Sequence, residues 1–295
     1  RRSLEDSAAI KRDSDGVVDA ISAEDIGKFP DTNLAEAMSR ITGVSIDRSS
    51  PGGATGEGQR ITVRGIGPDY NLVLLNGRQM PASTILDTEA SSSRAFDFAN
   101  LASEAVAGVD VYKTSKSDIP TGGIGATVNI RTARPLDIGE RAMSFGAKGV
   151  MDDSAQDSSW TPEVSGIYSD VFADGKFGIT LTGIYQEREF GYNQAATTSG
   201  WRAFKGDEVN WGTIPLPGAP GSENIINRPE PTDTYSVPQN ILYGLNEVER
   251  DRTNGQLVLQ FRPVDSLTMT LDYTYSELEI QTQRNEMSAW FNFGP

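Results

Sequence analysis

The chain has 295 residues, enough for one or two domains with a sizeable core. Its formal net charge of −15 excludes nucleic acid as a partner, because phosphate binding needs clustered Lys and Arg. Cysteine and histidine are both absent, which removes disulfides, thiolate- or imidazole-bound metals, and the Ser–His–Asp and Cys–His nucleophile systems. Carboxylate-pair hydrolysis remains possible, but no catalytic centre, metal site or cofactor is expected. No signal peptide is visible, and no apolar run approaches the ~20 residues of a spanning helix; membrane β-barrels share that property, since their strands alternate.

Residues 1–16 (RRSLEDSAAIKRDSDG) are charged, weakly periodic, and read as an N-terminal extension. Val17–Ile21 is a short β-type run, and Ser22-Ala23-Glu24-Asp25 reads as a helix cap, broken at Phe29-Pro30. A better helix follows. Asn33 with Glu36 forms a capping-box-like start, Leu34, Ala37, Met38 and Ile41 make one apolar stripe for core packing, and Gly43 is the stop. Val44-Ser45-Ile46 reads as a strand. The Gly-rich stretch Arg48–Gly58 lacks the Gly-Lys-Ser/Thr ending of a phosphate-binding loop.

Arg60–Pro81 (RITVRGIGPDYNLVLLNGRQMP) holds two β-type runs, 61–64 and 71–75. The turn residues 65–69 separate them and Asn76-Gly77 closes the second, so the expectation is an antiparallel pair with the second strand buried on both faces. On that reading loops 48–59 and 77–99 leave one end and the 65–69 turn lies at the other. Loop 77–99 is rich in Ser and Thr and carries Arg78, Gln79, Asp87, Glu89 and Arg94; long ordered loops are often functional. Leu101–Val106 is expected as a helical turn, and Gly108–Lys113 and Gly125–Thr132 as strands. Residues 17–134 thus read as a small α+β domain on a mixed sheet.

From Arg134-Pro135 onward the period becomes two, with strands expected near 142–150, 162–172, 176–187, 253–262 and 266–277. The last is cleanest: Leu267, Met269, Leu271, Tyr273 and Tyr275 oppose Thr268, Thr270, Asp272, Thr274 and Ser276. Tight turns at Asp174-Gly175 and Pro263-Val264-Asp265 alternate with a medium loop (151–161) and a long one (about 190–250), the short/long asymmetry of an outer-membrane barrel. The long loop carries Phe190, Tyr192, Trp201, Phe204 and Trp211 among Asn193, Gln194, Arg202 and Asn210. Flat aromatic faces stack on sugar rings while amides serve the hydroxyls; the competing reading is a self-packing loop with interfacial aromatics. Asp152-Asp153 and Asp157 have no EF-hand spacing and read as solvated charge.

The spelling adds more. Val63-Arg64-Gly65 followed by Asn71–Arg78 (NLVLLNGR), preceded by VVDAISAEDIGKFPDTNLAEAMSRITGVSIDR (Val17–Arg48) and followed by VDVYKTSKSDIPTGGIGATVNIRT (Val109–Thr132), resembles the plug of TonB-dependent outer-membrane receptors. The resemblance implies an α+β plug (17–134) followed by the first antiparallel strands of a transmembrane β-barrel (135–295), incomplete against the ~22 strands of plugged transporters. It implies outer-membrane lipid and TonB as partners, the latter through a TonB box upstream of residue 1. Ligand would bind between apical plug loops (Arg78, Gln79, Arg94) and an extracellular barrel loop (Tyr192, Trp201, Trp211). Arg64, at the Val-Arg-Gly position, and Arg131 would hold the plug to acidic residues of the barrel wall, Asp272 among the candidates. Lys113 stands where many relatives have Arg followed by Gly. The Val17–Arg48 spelling looks most like the branch associated with oligosaccharide uptake. A ferric-siderophore receptor is the alternative of the same fold, and a secreted carbohydrate-binding module without transport is the alternative of another class.

Overall fold

The computed structural model describes residues 2–14, 16–22, 34–47, 60–81, 93–103, 106–156 and 160–291. The cap residues 23–25 and Asn33, the Gly-rich stretch 48–58 and loop residues 82–92 lie outside them. The chain forms two compact units. The first comprises Arg1–Asp152, Ser159–Glu189 and Glu249–Ile280, and the second Asp153–Ser158, Phe190–Val248 and Gln281–Pro295.

In the first unit the N-terminal extension is helical, α1 (Arg2–Asp13), with Lys11 and Arg12 in its last turn, where cations complement the helix dipole. It leads into β1 (Val18–Ser22), α2 (Leu34–Met38), β2 (Val44–Asp47), β3 (Arg60–Val63), β4 (Asn71–Leu75), β5 (Arg78–Gln79), β6 (Val106–Tyr112) and β7 (Ala126–Thr132). The main sheet is mixed, in the order β1-β6-β7-β4-β5; β4 and β7 are parallel and the other neighbours antiparallel. The apolar stripe of α2 buries Leu34, Ala37 and Met38 against Val109, Val111, Val128 and Ile130 of the sheet, all fully removed from solvent. Each of these side chains larger than Ala37 contributes about 1.5–3 kcal/mol of transfer free energy.

One expectation is corrected here. β3 does not pair with β4; it pairs with β2, in register Val44↔Val63. Left-handed backbone at Arg64 (φ 57°), Gly65 (φ 71°) and Gly67 (φ 108°), then a 3-10 turn at Pro68–Tyr70, redirects the chain so that β4 enters the main sheet beside β7. A 3-10 turn at Phe98–Asn100, capped by the Asp97 carboxylate accepting from the Ala99 N–H at 2.8 Å, precedes the expected helical turn at 101–106; there Ser103 is in 3-10 conformation, residues 104–105 lie outside the described residues, and Val106 already begins β6.

A short helix α3 (Pro135–Ile138) links this domain to a five-stranded antiparallel sheet. Its strands are β8 (Ala142–Val150), β9 (Thr161–Phe172), β10 (Phe177–Ala196), then, after the hairpin strands β11 (Trp201–Lys205) and β12 (Thr234–Pro238), β13 (Asn240–Val264) and β14 (Leu267–Trp290). The spatial order is β8-β9-β10-β13-β14. Gly178 is required where α3 crosses β10, because a Cβ there would stand 2.7 Å from the Pro135 side chain. β10, β13 and β14 run 20, 25 and 24 residues, far beyond the expected apolar stretches. Past Tyr185 and Tyr275 the outward positions become Glu187, Glu189, Glu277 and Glu279, which erases the hydropathy alternation while the backbone ladder continues.

The faces of this sheet are inverted relative to a water-soluble one. Outward positions are apolar and exposed: Met143 (79%), Phe145 (74%), Leu181, Leu271 (62%), Tyr273 and Tyr275. Inward positions of β10 and β13 are polar and buried, among them Thr180, Thr182, Gln186, Arg250, Arg252, Asn254, Gln256 and Gln260. Leu267 to Tyr275 is eight steps of ~3.3 Å, which at a ~40° tilt reaches ~20 Å, close to the ~25 Å apolar band of a membrane barrel. Among the described residues no helix is long and apolar enough to cross a membrane.

Candidate functional site

Three places in the molecule concentrate polar chemistry, two of them in the first unit. The first is the inner face of β13, where alternate residues reach the α+β domain. The Arg252 Nη1 donates to the Ala99 carbonyl at 2.9 Å and the Leu101 carbonyl at 3.4 Å. Asn254 accepts from the Ala102 N–H at 3.0 Å and donates to the Asn100 carbonyl at 3.0 Å, which also receives the Ser276 hydroxyl from β14 at 2.7 Å. Gln256 donates to the Thr132 hydroxyl at 2.9 Å, and Gln260 accepts from the Leu136 N–H at 3.0 Å. Residues two apart on a strand share a face, so one strand serves the backbone of the 99–102 segment residue by residue. Arg252 is also held from the side by the Gln186 amide oxygen, and Gln186 donates to the buried Glu163 at 2.7 Å.

These residues were not expected from the sequence as the wall contact. The signal was present: extending the alternation upstream on β13 to Arg250, Arg252 and Asn254 gives a polar face where a membrane strand turns toward protein rather than lipid. The expected pair lies elsewhere. Arg64 is not mid-strand but in the turn after β3, and its guanidinium donates to the carbonyls of Gly125 and Lys113, within the α+β domain. Arg131 pairs with Asp110 at 2.8 Å, also within that domain. Gly108, facing Arg131 across the ladder, makes room for it: a Cβ there would lie 2.9 Å from the guanidinium. Asp272, offered as a partner for Arg64, sits on β14 and receives no hydrogen bond from Arg64.

The second place is the end of the sheet where β1 meets β6. Asp19 sits between Lys113 and Lys11 of α1, and Lys113 also donates to the Thr42 carbonyl. Burial works against the charge on Asp19, but the hydrogen bonds and charges of the two lysines outweigh it and hold the carboxyl below its ordinary range. The residues grouped as one apical set are parted by this sheet. Arg78 and Gln79 are exposed on β5, opposite Leu75 and Leu74 at the end of β4. Arg94 donates to the Gly122 carbonyl at 3.1 Å, in the loop before β7, and its neighbour Ser93 bonds Asp69 just before β4. Because β4 and β7 are parallel, Arg94 belongs to their beginning and Arg78 to their end.

The third place is in the second unit, the hairpin β11–β12 and its loop 206–233. Phe204 is buried against Tyr235, ring centroids 5.8 Å apart, with the Arg202 guanidinium 4.9 Å from the Phe204 ring centre. The Tyr235 hydroxyl accepts the Ile214 N–H at 3.0 Å, Arg228 donates to the Pro215 carbonyl, and Asn210 and Thr213 close a turn through the Thr213 hydroxyl. Trp201 and Trp211 stay exposed, at 63% and 64%. Tyr192, on β10, is half-buried and its carbonyl accepts from Asn246. The hairpin thus spends Phe204 and Tyr235 on its own packing and leaves both tryptophans presented.

Residues 10–127 match the TonB-dependent Receptor Plug Domain family, and the α+β domain is a plug domain of that kind. Among curated proteins, the ferric enterobactin receptor PirA of Pseudomonas aeruginosa is 31% identical over 130 residues, 41% of this chain and 17% of that protein. The probable TonB-dependent siderophore receptor PirA of Acinetobacter baumannii is 26% identical over 127 residues, 40% of this chain and 16% of that protein. Of solved structures, the siderophore receptor PirA from Acinetobacter baumannii aligns over 94% of this chain and 45% of its own, at 17% identity and a TM-score of 0.44. The chain therefore aligns with under a fifth of these curated relatives and under half of that solved chain.

Proposed function

We propose that this chain is the plug and first wall strands of a TonB-dependent receptor that actively imports its ligand across the bacterial outer membrane. The observation that carries the reading is the inverted sheet: apolar side chains face outward over a membrane-sized height, while Arg252, Asn254 and Gln256 face inward onto the plug domain. Water would reward the opposite arrangement. The plug closes the lumen, TonB engages the receptor, and energy from the inner membrane loosens the plug; no bond of the ligand is made or broken.

The ligand is an oligosaccharide. Support comes from the hairpin between β10 and β13, a long connection of the kind that is extracellular in such barrels, which presents Trp201 and Trp211 beside Asn210 and Arg202. A second reading, a ferric siderophore, is favoured by the names of the relatives that share the plug. Binding of the full-length protein in detergent to linear hexasaccharides and to ferric enterobactin, with and without Trp201→Ala and Trp211→Ala, separates them. Sugar binding weakened about tenfold or more in the variants is expected. Ferric enterobactin binding indifferent to both tryptophans, with no sugar binding, would sink the oligosaccharide assignment and keep the transporter.

A further inference from the structure

The hairpin loop encloses a groove of about 690 Å³, lined by Asn210, Thr213, Ile214, Leu216, Pro220 and Phe291 among others. That volume falls within the range of small-molecule sites, roughly 300–1,000 Å³. Its walls are fixed. The Tyr235 hydroxyl holds Ile214, Arg228 holds Pro215, the Ser222 hydroxyl accepts from Gly218, and the Asn210–Thr213 turn sets one rim. Leu216 and Phe291 remain 37% and 45% exposed, so the loop's own packing leaves the apolar floor uncovered. Trp211 follows the lining residue Asn210 in sequence without itself lining the groove, and its carbonyl accepts from Arg202.

Charge selects the occupant. Segment 206–233 carries Asp207, Glu208, Glu223, Glu230 and Asp233 against Arg228 alone. None of the groove's lining residues is charged, and the segment that forms it is net negative, which disfavours anionic ligands such as ferric catecholates and gives phosphate nothing to hold. A neutral, polyhydroxylated ring suits it: one apolar face lies on Ile214 and Leu216, while its hydroxyls meet the Asn210 and Thr213 side chains.

We propose that this groove is the pyranose subsite of the receptor, seating one terminal sugar of a neutral oligosaccharide on Ile214 and Leu216. The inference rests on the transport reading above and adds the place and the charge class of the ligand. The test uses full-length protein in detergent, titrated calorimetrically with maltohexaose, cellohexaose and xylohexaose, alongside TonB-dependent uptake of the same sugars by cells. Ile214→Trp and Leu216→Trp fill the groove from two directions; Ile226→Trp, at a position 85% exposed and outside the lining, is the control. The expected result is binding of at least one sugar, weakened tenfold or more by each groove variant and unchanged by the control. Sugar affinity unaltered by both groove variants, with TonB-dependent uptake intact, overturns the groove and leaves the transporter standing. A lowered unfolding temperature in both groove variants, without altered sugar affinity, means that the protein's own chain fills the space and equally overturns it. TonB-dependent uptake of neither sugars nor ferric enterobactin would remove the transport reading itself.

Discussion

The plug domain and the β8–β14 sheet are both antiparallel-rich, both well packed, and bury opposite chemistries. In the plug the core is apolar, with Leu34, Met38, Val109, Val128 and Ile130 inside beside a few buried charges such as Asp97 and Asp110. In the sheet, Arg250 and Arg252 are among the most deeply buried side chains, while Met143, Phe145 and Leu271 face out. The hydrophobic effect has not changed sign between them; the surroundings have. A plug side chain leaves water by going inside, whereas an outward leucine on a barrel strand leaves water by facing lipid. The price of the second solution is that every inward polar group must find a partner, and the plug backbone between Ala99 and Ala102 supplies several of them.

That contrast can be broken most severely at Leu271, which is 62% exposed near the middle of the outward face. Leu271→Arg is expected to destabilise the full-length protein in liposomes by about 2–4 kcal/mol, measured by urea unfolding, because the guanidinium would be set against hydrocarbon. In a sheet facing water the same change would stay within about 0.5 kcal/mol. A null result there would end the membrane assignment.

A smaller effect is expected at the join of the two chemistries. Arg252→Met keeps the volume but leaves the carbonyls of Ala99 and Leu101 without this donor, at about 1–3 kcal/mol for a buried unsatisfied group. Hydrogen exchange should quicken at the Ala102 amide, which Asn254 holds, while β10 amides keep their protection. Equal acceleration in β10 would show that Arg252 stabilises the wall rather than the plug's seat.

The smallest effect concerns Asp19, held below its ordinary value of 3.8 by Lys113 and Lys11 against the pull of burial. A depressed folded value means that the carboxylate stabilises the fold above that ordinary value and loses its contribution as pH falls through the lowered one. Asp19 is partly exposed, so screening keeps the term small. Amide exchange of β1 should therefore be faster in Asp19→Asn than in the parent protein at pH 7, with the gap closing below about pH 4. A gap that persists at low pH would mean that the Asn side chain disturbs packing rather than charge.

Much of this was written in the residues themselves. The stripe of α2, the burial of β4 on both faces and the Asn76-Gly77 turn, with φ of 51° and 81°, follow from local chemistry. So do the outward faces from Leu267 to Tyr275 and from Phe177 to Tyr185, because a period of two assigns faces wherever the two sides differ in polarity. Local pattern is silent about partners. It could not tell that β3 pairs back with β2, that Arg94 and Arg78 fall at opposite ends of the parallel pair, or that β13 continues for 25 residues once both of its faces turn polar.

The candidate sites divide along the same line. Trp201 and Trp211 were legible because an aromatic in a polar loop stands out, and the structure leaves both exposed. Arg64 and Arg131 were legible as charges, but their present partners, the Gly125 and Lys113 carbonyls and Asp110, are set by strand register. Arg252 was hidden for the complementary reason: its acceptors on the plug are backbone carbonyls some 150 positions away, and a carbonyl carries no residue identity for a sequence to display. The sequence by itself determined which face of each strand prefers lipid, protein or water. Only the tertiary structure decided which backbone groups meet those faces, because hydrogen-bond partners depend on register and chain path, neither of which alternation encodes.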